Sequence, residues 1–260
     1  MKNRTTFLPF STVAALCAVS ILALLPVKAA DAAAHPVPLF NPGARVLFQG
    51  DSVTDGGRGR NQDPNHILGH SYVFIIAARQ GAAFPDLRLT FINRGVSGNR
   101  VSDLAARWQS DALELKPDVL SVLIGVNDVL LGFRDSKPVS IEMYEQAYDR
   151  LLAETVAAMP RVKLMLGEPF FLRGKRTDAQ YAEWQVTMPQ IRVVVEKLAV
   201  KYHAPVVHYQ KIFDDACQRA PVEYWIWDGI HPTYAGHQLM ADEWERVYRE
   251  FYVAPARKGN

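Results

Sequence analysis

Five short apolar runs lie along the chain, and between them apolar residues recur every three or four positions. Uninterrupted apolar runs are typical of strands covered on both faces, and spacing of three or four is typical of helices. The predicted strands are residues 46–48, 87–92, 119–124, 162–167 and 205–208, and the predicted helices are 71–81, 101–115, 142–159, 191–202 and 240–251. This alternation predicts an α/β fold with a parallel sheet between helices.

Polar blocks follow three of the predicted strands. Gly50-Asp51-Ser52 follows the first strand, Asn93-Arg94-Gly95 the second, and Gly125-Val126-Asn127-Asp128 the third. The carboxyl ends of parallel strands share one edge of the sheet, where α/β proteins bind their ligands. A fourth polar block, Asp228 to His231, precedes the last helix. We therefore expect the four blocks to meet at one edge.

The first and last blocks contain the residue types of a serine hydrolase. A nucleophilic serine needs a base, and the base needs an acid that orients it. Ser52 is the candidate nucleophile, and Asp228, three residues before His231, supplies an acid beside a base. Each block alone is also compatible with a simple turn. Their combination favours nucleophilic catalysis.

Taken together and in this order, the four blocks resemble those of SGNH hydrolases of the GDSL esterase family. The resemblance implies a flavodoxin-like three-layer α/β/α sandwich with a central five-stranded parallel sheet, and it implies no metal and no cofactor. It also implies that Ser52 is the nucleophile, His231 the base and Asp228 the acid. The implied oxyanion donors are the backbone N–H groups of Ser52 and Gly95 and the side-chain amide of Asn127.

Two further segments narrow the resemblance to the acetylxylan esterase-like subgroup. They are Val101-Ser102-Asp103-Leu104-Ala105-Ala106-Arg107-Trp108 and Trp227-Asp228-Gly229-Ile230-His231-Pro232. The subgroup implies an acetyl ester on a carbohydrate, and Trp225 and Trp227 are candidates for stacking on a sugar ring. Tryptophans beside a loop also serve to anchor it to the core. A GDSL lipase, lysophospholipase or thioesterase is the alternative within the family, since the sequence does not give the size of the acyl pocket.

Other classes of function have weaker support. Asp51, Asp55, His66 and His70 offer ligand types for metal-dependent phosphoester hydrolysis, but the two histidines lie in a predicted polar loop. A carbohydrate-binding module would need aromatic residues without a catalytic triad. The chain contains neither a Gly-x-Ser-x-Gly elbow nor a glycine-rich phosphate loop with its lysine.

The amino-terminal residues 1–32 have the pattern of a secretory signal. Lys2 and Arg4 precede an apolar stretch at 13–25, and alanines at 29–34 offer cleavage sites. The alternative is an uncleaved anchor, for which the stretch is short. We expect a single hydrolase domain at 33–260, exported to the periplasm or the medium, without stable membrane insertion after cleavage.

Removal of residues 1–30 changes the charge and the cysteine count. The whole chain has 29 basic and 27 acidic residues; residues 1–30 contain three basic residues and no acids, which leaves 26 basic and 27 acidic residues. No basic patch remains to bind nucleic acid. Only Cys217 remains of the two cysteines, so no internal disulfide is expected. The expected partner is an acylated carbohydrate or another small ester, and a homo-oligomer is left open.

Overall fold

The computed structural model describes residues 37–254, so the predicted signal segment lies outside the described residues. Its centre is a five-stranded, all-parallel sheet in the order β2-β1-β3-β4-β5. The strands are β1 (Arg45–Gly50), β2 (Thr90–Asn93), β3 (Val119–Leu123), β4 (Lys163–Gly167) and β5 (Val206–Val207). The predicted fold class is confirmed.

Helices connect the strands in the order that the polar and apolar pattern predicts. The helices among the described residues are α1 (Ser52–Asp55), α2 (Tyr72–Ala83), α3 (Val101–Trp108), α4 (Val126–Arg134), α5 (Ile141–Ala158), α6 (Tyr181–Tyr202), α7 (Tyr209–Ala216), α8 (Val222–Trp225) and α9 (Tyr234–Tyr248). They form two packed groups: α9 contacts α2 and α7, while α5 contacts α3 and α6. These groups cover the sheet as the outer layers of the three-layer sandwich.

Several boundaries differ from the prediction, each for a local reason. β2 starts three residues late because Pro85–Leu87 forms a 3-10 turn. α6 starts ten residues before the predicted 191, since Pro189 lies inside the helix and does not end it. Buried Trp184 and Met188 hold this first half of α6 against the core. α4 was not predicted, because its apolar residues directly follow a strand-end block.

The sheet places the polar blocks along one edge. Gly50 at the end of β1 pairs with Leu123 of β3, and Leu123 pairs with Gly167 of β4. Val46, Leu47 and Phe48 of β1 are completely buried, as expected for a central strand. No helix within residues 37–254 is long and apolar enough to cross a membrane.

Candidate active site

Ser52 lies at the start of α1, immediately after a tight turn at the end of β1. A Cβ atom at Gly50 would collide with the Thr54 side chain and the Leu123 carbonyl oxygen, so only glycine fits there. Asp51 caps the helix, because its Oδ1 accepts a hydrogen bond from the Val53 N–H at 3.0 Å. The turn thereby fixes the serine at the carboxyl edge of the sheet.

Three side chains form a continuous hydrogen-bonded chain at this edge. Ser52 Oγ lies 2.8 Å from His231 Nε2, and His231 Nδ1 lies 2.7 Å from Asp228 Oδ2. Asp228 is completely buried, whereas the His231 side chain is 26% exposed. The structure thus brings together the three residues that the sequence places in the predicted triad, across 179 positions of chain.

The Asp228 carboxylate is surrounded by donors. Its Oδ1 accepts the N–H groups of Ile230 at 3.0 Å and His231 at 2.8 Å. Burial alone would raise the pKa of Asp228, but hydrogen bonds from the His231 side chain and from these two N–H groups outweigh burial, so the pKa lies well below its ordinary value. Asp228 is therefore ionised at neutral pH and can stabilise a positively charged His231.

Gly95 does not occupy the position expected of an oxyanion donor. Its N–H donates to Asn93 Oδ1 at 2.9 Å, and the residue is buried against the Asp55 backbone. An N–H group has one proton, so this donor is already bound. The prediction for Gly95 is wrong in this arrangement, and its physical reason is the Asn93 side chain, which also donates to the Thr54 carbonyl oxygen at 2.8 Å.

Gly98, the second glycine of the same block, is exposed and unobstructed, whereas Gly95 is buried. Gly98 is exposed, has a φ of 85°, and has open space where a Cβ would be. Its neighbour Asn99 accepts a hydrogen bond from Asn127 Nδ2 at 3.1 Å, so this turn lies beside the predicted amide donor. The block Asn93-Arg94-Gly95-Val96-Ser97-Gly98-Asn99 contains two glycines, and the resemblance assigns the donor role to the first of them.

Asn127 lies in the first turn of α4, directly after β3. Its neighbour Gly125 has a φ of 131°, a conformation that suits glycine and turns the chain sharply into the helix. Asn127 is 7% exposed, and its bond to Asn99 uses one of the two amide protons. The other proton is available to a substrate, so the role predicted for Asn127 stays a prediction that this geometry permits.

Asp55 ties the loop after β2 to the end of α1. Its carboxylate accepts bonds from Arg60 at 2.7 and 3.1 Å and from the N–H and hydroxyl of Ser97 at 3.0 Å each. Arg58 Nε donates to the Gly95 carbonyl oxygen at 2.9 Å. Although burial opposes it, the bonds from Arg60 and Ser97 lower the pKa of Asp55. Hydrogen bonds that involve the charged Asp55, Arg58 and Arg60 side chains therefore hold the residues that precede the Gly98 turn.

The two candidate stacking tryptophans lie in different environments. Trp225 is only 8% exposed and packs against Tyr224 and the Arg219 guanidinium, so it anchors the loop and offers no face to a sugar. The prediction for Trp225 is therefore wrong. Trp227 is 58% exposed and lies nearly parallel to the His231 ring, with 6.4 Å between ring centroids. Trp227 remains a candidate for contact with substrate.

Two other buried carboxyl groups lie near the site and have few donors. Desolvation raises the pKa of Asp51 to about 7, although the hydrogen bond from the Val53 N–H and the attraction of His231 oppose the shift. Desolvation also raises the pKa of Asp128 to about 7, and the Val101 N–H, 3.3 Å from both oxygens, opposes it weakly. Both groups hold a proton over much of the range in which Asp228 is charged.

The residues of the alternative metal hypothesis have other partners. Asp51 caps α1, Asp55 binds Arg60, and the exposed His66 lies 3.7 Å from Asp63. Among residues 37–254, the cluster that metal-ligand geometry selects is Glu168, Glu196 and His208, whose ligand atoms lie within 4.8 Å of one another. Burial raises the pKa of Glu168 and Arg192 opposes this shift, so a positive charge already lies near the cluster and argues against a second cation there.

Known proteins share this fold and these blocks. The model of the GDSL-like lipase/acylhydrolase family matches residues 48–239. An acetylxylan esterase from Geobacillus stearothermophilus is 35% identical over 206 residues, which is 76% of this chain and 91% of that protein.

Solved structures give the same result. A protein from Parabacteroides merdae, provisionally named a GDSL-like lipase, superposes with a TM-score of 0.77 at 35% identity, covering 82% of this chain and 99% of its own. A variant of the Geobacillus acetylxylan esterase Axe2 gives 0.72 at 32% identity, covering 84% and 100%. The chain therefore belongs to the GDSL-like lipase/acylhydrolase family, and it is a carboxylic ester hydrolase.

Proposed function

We propose that this protein is an exported acetylesterase that removes O-acetyl groups from plant polysaccharide or oligosaccharide through a covalent intermediate on Ser52. The observation that carries the mechanism is the hydrogen-bonded chain from Ser52 through His231 to Asp228. Three Axe2 structures support the same assignment, because each is described as a catalytic mutant and they replace a serine, an aspartate and a histidine by alanine.

The first half of the reaction forms the acyl-enzyme. His231 Nε2 accepts the Ser52 hydroxyl proton while Ser52 Oγ attacks the ester carbonyl carbon. Negative charge develops on the carbonyl oxygen, where the free amide proton of Asn127 and the N–H groups of Ser52 and Gly98 would be its donors. His231 then returns the proton to the leaving sugar hydroxyl. In the second half, water repeats these steps and releases acetate.

The carbohydrate part of the proposal rests on the named relative and on Trp227. The Geobacillus relative is an acetylxylan esterase. Trp227 presents an exposed indole beside His231, where the leaving alcohol must receive its proton. Aromatic faces of this kind pack against the apolar face of a pyranose ring. Export is proposed from the signal-like pattern of residues 1–32.

A hydrolysis profile tests the substrate. Activity against p-nitrophenyl esters should fall steeply from acetate to butyrate and octanoate, since each added methylene in a small pocket costs about 1 to 3 kcal/mol. Acetylated xylo-oligosaccharides should be deacetylated, and Trp227→Ala should raise KM for them more than for p-nitrophenyl acetate. Faster hydrolysis of octanoate or of a phospholipid would favour the lipase alternative.

A separate experiment tests the mechanism. Ser52→Ala should fold normally and lose activity by several orders of magnitude, because the acyl-enzyme cannot form. Wild-type activity should survive treatment with a chelator. Retained activity in Ser52→Ala, or inactivation by the chelator that added metal reverses, would contradict a serine mechanism.

A further inference from the structure

Arg176 contacts the buried acid of the site from a loop that the sequence analysis did not connect with it. Its Nε lies 2.7 Å from Asp228 Oδ2, the same oxygen that accepts the bond from His231 Nδ1. The Asp228 side chain is completely buried, whereas the Arg176 side chain is 49% exposed. Arg176 therefore brings a permanent positive charge to the oxygen through which Asp228 acts on the His231 ring.

The loop that carries Arg176 is fixed to the catalytic loop by its backbone. The Arg176 N–H donates to the Asp228 carbonyl oxygen at 2.9 Å, and the Leu172 N–H donates to the Gly229 carbonyl oxygen at 2.9 Å. Between them, Gly174 packs so closely on the Asp228 and Gly229 backbone that a Cβ atom would collide with it. These contacts therefore hold the Arg176 backbone beside Asp228, so that its guanidinium reaches the carboxylate from a fixed starting point.

We propose that Arg176 is a positioning residue that orients the Asp228 carboxylate and offsets part of its negative charge, and thereby sets the acidic limit of activity. The inference rests on the proposed roles of Ser52, His231 and Asp228. Two positively charged neighbours share one carboxylate oxygen when His231 takes up a proton, and they repel each other. The guanidinium hence disfavours protonation of His231 in the free enzyme, so the base stays available at lower pH.

Other charged and titratable groups also act on His231. Asp51, next to the end of β1, attracts a protonated His231 when it is ionised, an effect that fades below its pKa of about 7, and His237 of α9 is a second titratable neighbour. His237 is buried, and desolvation lowers its pKa to about 3, so it carries no charge in the working range. Arg176 is the guanidinium that bonds Asp228 directly within the described residues.

The test compares pH profiles of kcat/KM for p-nitrophenyl acetate. In Arg176→Met and Arg176→Gln the acidic midpoint should move upward by roughly 0.5 to 1 pH unit, a size discounted for the half-exposed guanidinium. Arg176→Lys keeps the charge and should remain closer to the wild type. KM should be unchanged, since Arg176 is not assigned a contact with substrate.

Arg173 provides a matched control in the same loop. Its Nε bonds Asp178 at 2.7 Å, and both side chains are more than 60% exposed. Arg173→Met removes the same charge three residues away and should leave the acidic midpoint at its wild-type position. If Arg173→Met moves the midpoint as far as Arg176→Met, the effect belongs to the net charge of the loop and the proposal is wrong.

Structural damage would give a different result. It would lower the plateau of kcat or the melting temperature without moving the midpoint, and this outcome in both Arg176→Met and Arg176→Gln would overturn the proposal. Ser52→Ala and Asp228→Asn, assayed alongside, test the triad itself. If they are inactive while the Arg176 variants keep the wild-type midpoint, the proposed function stands and only the role of Arg176 fails.

Discussion

The two sides of the active site, one with Asp228 and the other with Asp51 and Asp128, differ in the charge of their buried carboxyl groups. Asp228 is completely buried, accepts bonds from the His231 side chain, two backbone N–H groups and Arg176, and is charged. Asp51 and Asp128 are nearly as buried, but each accepts a bond from one backbone N–H, and burial raises the pKa of each to about 7. Asp228 has more donors and a smaller desolvation penalty than Asp51 and Asp128, and both differences separate the charged side from the neutral side.

This difference matches the charge that the reaction would create on each side. Positive charge develops on His231, next to the ionised Asp228. Negative charge develops near Asn127, whose neighbour in the chain is Asp128. A protonated Asp128 adds no repulsion to an oxyanion, whereas an ionised one would. We therefore expect the two sides to respond differently when their carboxyl groups are replaced by amides.

The largest effect is expected from Asp228→Asn. The amide has no charge to stabilise a protonated His231, and it favours the wrong imidazole tautomer, so kcat should fall by about 10³- to 10⁴-fold. The control is Asp51→Asn at pH 6, which keeps the Val53 bond. Equal losses of kcat in both variants would show that the two carboxyl groups are not distinguished by charge.

A smaller loss is expected on the neutral side from Asn127→Ala. One oxyanion donor contributes about 3 kcal/mol to transition-state stabilisation, which is on the order of 100-fold in kcat. Steady-state kinetics with p-nitrophenyl acetate should place the loss in kcat and leave KM nearly unchanged. A change confined to KM would mean that Asn127 binds the ground state alone.

Stability should depend on pH through Asp51. Its folded-state pKa of about 7 lies above the ordinary 3.8, so its contribution to stability is complete below pH 4 and is lost as the pH rises through 7. Asn does not titrate. Relative to the wild type, Asp51→Asn should thus gain about 4 kcal/mol in free energy of unfolding between pH 4 and pH 8. Urea denaturation at both pH values measures this, and a constant difference would show that folding leaves the pKa of Asp51 at its ordinary value.

The smallest effect is expected from Asp128→Asn at pH 6. An amide resembles the protonated carboxyl group and can still accept the Val101 N–H, so kcat should stay within about threefold of the wild type. Above pH 8 the variant should exceed the wild type, because an ionised Asp128 opposes the oxyanion. A pH profile of kcat parallel to that of the wild type would show that the charge of Asp128 does not affect the oxyanion.

The parts of this site that the sequence predicts are those with short-range signals. Ser52 follows an apolar strand, and the spacing of Asp228 and His231 lets one loop hold acid and base. Gly95 and Gly98 are distinguished by tertiary contacts, since the Asn93 side chain takes up the Gly95 N–H and the Asp55 backbone buries Gly95. Trp225 and Trp227 lie two positions apart, and only the folded loop shows that the first is buried and the second exposed. Arg176 meets Asp228 across 52 positions, and no local pattern marks that pair.

The 179-residue separation between Ser52 and His231 has a consequence for biosynthesis. The nucleophile is translated early, but its base and acid emerge from the ribosome only after all five strands of the sheet have been made. A nascent chain therefore carries a serine without a general base until almost the whole domain is available to fold. The enzyme would therefore become able to cleave esters only in one late step of its synthesis.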